Sequence, residues 1–89
     1  MIELTDGVKL YGTRFCPYCV AARRLLKQLN IVFEDIPVDG NSDLRHQLTE
    51  VSGQHTVPQI WVGEQHIGGY TELASLHDQG GLVPLVNAL

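Results

Sequence analysis

Apolar and polar positions alternate through residues 8–11, Val8-Lys9-Leu10-Tyr11, with the period of a strand that buries one face. A polar turn covers residues 12–15, and residues 1–6 read as a loose lead-in. From Pro17 to about Asn30 the period becomes helical. Tyr18, Ala22, Leu25, Leu26 and Leu29 form an inward face, and Arg23, Arg24, Lys27 and Gln28 take the solvent side. Residues 31–38 read as a second strand, with Pro37 marking its end or an edge position. Strand, helix and strand make a βαβ unit, which predicts parallel strands and a right-handed crossover. A turn cluster at residues 39–42 follows, in which Asn41 or Ser42 caps a helix from about Asp43 to Val51, with Leu44, Leu48 and Val51 inward and Ser52-Gly53 ending it. Residues 59–62 and 65–68 read as antiparallel strands joined by a tight Gly63-Glu64 turn. Gly68-Gly69-Tyr70 is a further turn, after which Thr71 caps a helix running through Leu73 and Leu76 to about Asp78. Gly80-Gly81 breaks it, and residues 82–89 form a short amphipathic helix closing over the sheet.

This order predicts an α/β chain with a four-stranded mixed sheet flanked by helices on both faces. At 89 residues it is one small domain, 1–89, and 44% hydrophobic residues suit a folded core. The net charge of −4 provides no basic field to recruit nucleic acid or an acidic membrane surface. The apolar runs are too short to span a bilayer. The first seven residues have neither a basic segment nor an apolar core, so no signal peptide is expected.

The chemistry is concentrated in two cysteines, Cys16 and Cys19, spaced Cys-x-x-Cys where the first turn enters the first helix. Cys16 falls at the N-cap, and Pro17 suits the first helical position, where no backbone N–H is needed. Unpaired N–H groups and the positive end of the helix dipole favour a thiolate there, and Arg14 adds a nearby positive charge. Cys19 lies one turn on, so the pair can close into a small disulfide and reopen through a mixed disulfide. Cys16, at the helix end, is the expected nucleophile and Cys19 the expected resolving thiol. A zinc site lacks ligands: there is no second cysteine pair, and His46, His55, His66 and His77 are scattered. A static disulfide closing so short a loop would stabilise little. A leaderless chain with one such pair suits a reducing compartment, hence a cytoplasmic location. The basic cluster on the first helix reads as a solvated face; alternatively Arg23 and Lys27, one and two turns beyond Cys19, steer an anionic partner toward the thiols.

Three segments resemble the glutaredoxin family, in its small dithiol bacterial form: Cys16-Pro17-Tyr18-Cys19, Thr56-Val57-Pro58-Gln59-Ile60, and Gly68-Gly69-Tyr70-Thr71-Glu72-Leu73. The resemblance implies a thioredoxin-like fold and a glutathione-dependent thiol–disulfide oxidoreductase. It implies a cis Pro58 beside the nucleophile, with the Val57 backbone pairing the peptide part of glutathione. It also places the γ-glutamyl carboxylate on the backbone N–H groups of Tyr70, Thr71 and Glu72, where Gly68-Gly69 permits close approach. The implied glutathione site comprises Arg14, Tyr18, Thr56, Val57, Pro58, Gly69, Tyr70, Thr71 and Glu72, with Glu72 meeting the ligand's amino group. Glutathione is then the reducing co-substrate, and no metal is expected. Clients would be disulfide-containing or glutathionylated proteins, ribonucleotide reductase among them, served by a monomer. Two positions depart from the family pattern. Thr13 stands where a lysine is frequent, with Arg14 beside it, and His55 replaces a frequent arginine, leaving Gln54 or Arg45 to hold the glycine carboxylate. His55 also predicts pH-sensitive glutathione binding. Two rival expectations are a glutathione-ligated iron–sulfur carrier and a glutaredoxin-like protein reduced by thioredoxin reductase. Pro17 and a resolving Cys19 oppose the first, and the Gly-Gly-Tyr-Thr-Glu segment opposes the second.

Overall fold

A computed structural model describes residues 7–89; the lead-in expected for residues 1–6 lies outside the described residues. The elements run β1 (Val8–Gly12), α1 (Pro17–Gln28), β2 (Phe33–Pro37), α2 (Ser42–Ser52), β3 (Gln59–Val62), β4 (Gln65–Gly68), α3 (Tyr70–Asp78) and α4 (Leu82–Asn87). The sheet order is β2-β1-β3-β4. β1 pairs parallel with β2, as the βαβ reading requires, while β1–β3 and β3–β4 are antiparallel. The fold is thioredoxin-like, with a four-stranded mixed sheet.

Strand alternation divides the core between the two faces of the sheet. Val8 and Leu10 of β1 and Ile60 and Val62 of β3 pack with Ala22 and Leu26 of α1, Leu73 of α3 and Leu82 of α4. Tyr11, next after Leu10, and Trp61, between Ile60 and Val62, point the other way and pack with Val38 and with Leu48 of α2. Helices therefore cover both faces. Among the described residues, no helix is long and apolar enough to cross a membrane.

The structure corrects several of the sequence expectations. The second strand begins at Phe33, not Ile31. Asn30 adopts a left-handed φ of 57° and donates its N–H to the Lys27 carbonyl, while Ile31 N–H bonds Leu26 O at 3.0 Å. This is a Schellman-type closure of α1, and it uses the Ile31 N–H that a strand would need. Val32 is consequently left exposed. Tyr18 and Val51, inward by helical spacing, are 63% and 46% exposed. Cys19, Ala22 and Leu26 are the residues of α1 that are buried. Asn41 caps α2 by accepting from Leu44 N–H at 3.1 Å. The helix after Gly69 starts at Tyr70, so Thr71 lies inside its first turn and is not its cap.

Candidate functional site

β1 runs into a short turn that delivers Cys16 to the start of α1. Cys16 occupies the N-cap with extended backbone, φ −78° and ψ 121°, and Pro17 opens the helix. Both cysteines are free thiols; Cys16 is partly exposed and Cys19 fully buried. Burial pushes the Cys16 thiol up. It is outweighed by the Cys19 backbone N–H, the Cys19 thiol, the Tyr18 N–H and the charge of Arg23, so the net shift is downward. Cys19 moves the other way. Burial raises it, a hydrogen bond from Thr13 opposes, and the neighbouring Cys16 raises it further. The Thr13 N–H lies 3.5 Å from Cys19 Sγ. One helical turn thus separates a thiol whose pKa is lowered from one whose pKa is raised.

The positive charge that acts on Cys16 is that of Arg23, not of Arg14. Helical periodicity puts Arg23 on the solvent face, yet its side chain is only 16% exposed. Its Nε donates to Asp35 Oδ2 of β2 at 2.9 Å, and its Nη2 donates to the Thr13 carbonyl at 3.0 Å. Gly12 makes room for this packing: a Cβ there would meet Cys19 Sγ at 3.0 Å and Arg23 Nη2 at 3.2 Å. Arg14 anchors the turn through its backbone, donating to Asp39 Oδ2 at 3.2 Å. It lines a depression with Arg23, Asp35, Pro37 and Asp39, apart from the other residues expected to bind glutathione.

Those other residues are brought together. Tyr18, Thr56, Val57, Pro58, Gly69, Tyr70, Thr71 and Glu72 line one cleft of about 170 Å³, with Gln54 beside them. Neither His55 nor Arg45 lines it. The Val57–Pro58 bond is cis, and the Cys16 thiol points at the Val57 carbonyl, 3.9 Å away. Tyr18 and Tyr70 both line the cleft, with ring centroids 6.5 Å apart. At the far end α3 begins. Its first intrahelical backbone bond runs from Leu73 N–H to Gly69 O, which leaves the N–H groups of Tyr70, Thr71 and Glu72 without helical acceptors. Such a helix start can receive an anion. Glu72 Oε1 accepts the Gly69 N–H at 2.8 Å, so this carboxylate caps its own helix.

Sequence reasoning missed one residue that supports the cleft from the core. Gln59 is fully buried, and its amide donates to the carbonyls of Gln54 at 2.9 Å and Thr56 at 3.0 Å. It thereby clamps the loop that carries Val57 and Pro58. A polar residue at the start of an otherwise apolar strand was the available signal. Among the described residues, no group of three or more His, Cys, Asp or Glu is arranged to hold a metal ion.

Comparison with known proteins agrees with this geometry. The glutaredoxin family model matches residues 8–67. A glutaredoxin of Pseudomonas aeruginosa is 43% identical over 81 residues, covering 91% of this chain and 96% of that protein. Glutaredoxin 3 of Escherichia coli K12 is 43% identical over 80 residues, covering 90% of this chain and 96% of that protein. Among solved structures, a buckwheat glutaredoxin–glutathione complex superposes with a TM-score of 0.86 at 30% identity, covering 92% of this chain and 77% of that one. The chain belongs to the glutaredoxin family, and its role is that of a thiol–disulfide oxidoreductase.

Proposed function

We propose that the protein uses glutathione to reduce protein disulfides and protein–glutathione mixed disulfides through Cys16 and Cys19. One observation carries the reading: Tyr70, Thr71 and Glu72, whose N–H groups have no helical acceptor, line the same cleft as Val57, whose carbonyl lies 3.9 Å from the Cys16 thiol. A tripeptide thiol bound there sets its carboxylate on the helix start and its backbone against Val57, with its sulfur toward Cys16. Glu72 holds the Gly69 N–H with Oε1, which leaves Oε2 to meet the ligand's ammonium group. Gln54, also in the cleft, is the residue placed to reach the glycine carboxylate. The buckwheat relative crystallised with glutathione supports the choice of ligand.

The cycle follows from the two thiol environments. The Cys16 thiolate attacks the sulfur of a client disulfide and expels a client thiolate, leaving a client–Cys16 mixed disulfide. Cys19 loses its proton and attacks the Cys16 sulfur, which releases the second client thiolate and closes the Cys16–Cys19 disulfide. One glutathione thiolate opens that disulfide by forming glutathionyl-Cys16. A second attacks the glutathionyl sulfur, releasing oxidised glutathione and the Cys16 thiolate. When the substrate is itself a glutathione mixed disulfide, attack at the glutathione sulfur needs Cys16 alone. Such a dithiol suits a reducing compartment such as the cytoplasm. Ribonucleotide reductase is a client that the family resemblance suggests, with the protein acting as a monomer.

The test is turnover of a mixed disulfide between a small thiol and glutathione, coupled to NADPH and glutathione reductase. Cys16→Ser is expected to abolish both this reaction and protein disulfide reduction. Cys19→Ser is expected to keep the first and lose the second. Equal loss of the first reaction in both variants overturns the assigned roles. Reduction by thioredoxin reductase without glutathione turnover overturns the choice of donor.

A further inference from the structure

Helix α1 contains no acidic residue, and with the turn before it carries four of the chain's six lysines and arginines, in a protein of net charge −4. Arg23 is turned toward Asp35 and the Thr13 carbonyl. Arg24 and Lys27 are exposed, and no described residue pairs with their charged ends. Together with Val20, Arg23 and Gln28 they line a groove of about 470 Å³ on the outer side of the helix. At about 100° per residue, Val20, Lys27 and Arg24 all fall within about 80° of Cys16 around the helix axis. The groove therefore continues the line of the nucleophile. Exposed apolar surface at Val20 comes first, and two unpaired cations follow.

We propose that this stripe docks an acidic segment of the client protein while the client's sulfur is engaged at Cys16; the proposal rests on the oxidoreductase reading above. The spacing sets where the acidic residues must be. A rise of about 1.5 Å per residue puts Arg24 about 12 Å and Lys27 about 16 Å along the axis from Cys16. An extended chain advances about 3.3 Å per residue. The matching carboxylates thus lie about four and five residues from the client cysteine. The rest of the molecule is acidic and repels such a segment, so the stripe also orients the encounter. Glutathione meets its partners in the cleft of Val57 and Tyr70, and neither Arg24 nor Lys27 lines that cleft.

The experiment compares two glutathionylated peptides that differ only at the positions four and five residues to either side of the cysteine, glutamate in one and lysine in the other. At low salt the wild-type protein is expected to turn over the glutamate peptide with a kcat/KM about fivefold above that of the lysine peptide. The ratio should fall toward one at about 0.5 M salt, where the screening length is only a few ångströms. The charge-reversed variant R24E/K27E should lose or invert the preference and turn over a small glutathione mixed disulfide at the wild-type rate, which also reports that it is folded. A wild-type ratio near one, or a preference that survives charge reversal, overturns the proposal. If the wild-type protein fails on the small substrate, the glutathione-dependent reading is what fails. The docking claim is then decided by binding of a fluorescent glutamate peptide with serine in place of cysteine: weaker binding to R24E/K27E sustains it, and equal binding refutes it.

Discussion

Arg23 joins the chemistry of Cys16 to the framework of the sheet. Its guanidinium holds the Thr13 carbonyl and the Asp35 carboxylate, and Thr13 in turn directs its N–H at Cys19 Sγ. Its charge also favours the Cys16 thiolate. Replacing Arg23 with glutamine is expected to raise the Cys16 pKa and to lower its alkylation rate by iodoacetamide near pH 6 by about threefold, since only the thiolate reacts. Arg23→Lys separates charge from position: it restores most of the rate if charge dominates and little if the fork to Thr13 and Asp35 matters more. An alkylation profile unchanged in Arg23→Gln would exclude both. This role was not legible in the sequence. Helical periodicity puts Arg23 on the polar side but does not say that β2 lies beside that side with Asp35 in reach. Cys16 and Cys19 were legible because their chemistry depends on local position at a helix start, which Pro17 announces.

At the scale of elements, the start of α3 is the most exacting junction. Gly68 closes β4 with φ at +119°, a conformation that side chains rarely adopt, and a Cβ there would sit 2.8 Å from Glu72 Oε1. Gly68→Ala therefore combines backbone strain with displacement of the carboxylate that accepts the Gly69 N–H. The expected loss is about 2 kcal/mol, read as a lower denaturant midpoint, with weaker binding at the proposed glutathione site because the same turn leads into the helix start of Tyr70 and Thr71. Glu72→Gln keeps an acceptor at the same place and should cost less than about 1 kcal/mol. Equal stability of Gly68→Ala and wild type would mean that the junction relaxes freely. The sequence announced this junction through its paired glycines but misassigned the cap, because Thr71 is an equally good capping residue by type. Side-chain reach from Glu72 back to Gly69 decided the matter. The start of β2 was misplaced for a similar reason: Ile31 and Val32 have strand character, but the Asn30 closure of α1 takes the Ile31 N–H.

At the scale of the molecule, the order of elements was readable from periodicity alone. The sheet order β2-β1-β3-β4 was not, because the antiparallel pairing of β1 with β3 joins residues some fifty positions apart and leaves no local mark. The neighbouring pairing of β3 with β4 sets a pH limit on the fold. Trp61 of β3 and His66 of β4 are registered partners, with ring centroids 4.6 Å apart, and His66 Nε2 is buried without a hydrogen-bond partner among the described residues. Burial pushes the His66 pKa below its ordinary 6.5, against a raising influence from Glu72. For a base with a depressed pKa, the unfolded chain takes up a proton first as the pH falls. Stability from this group is therefore full above about pH 6.5 and declines as the pH drops through the interval down to the folded-state value. Carboxylates dominate acid unfolding only at lower pH, so the interval from about 6.5 to 5 is that of the chain's four histidines, and the comparison with His66→Gln singles out His66. Denaturant midpoints across it should fall with acidification in the wild-type protein and fall less steeply in His66→Gln, which cannot titrate. Identical slopes in the two proteins would show that His66 accepts a proton in the folded sheet as easily as in water, and that the strand pairing is indifferent to its charge.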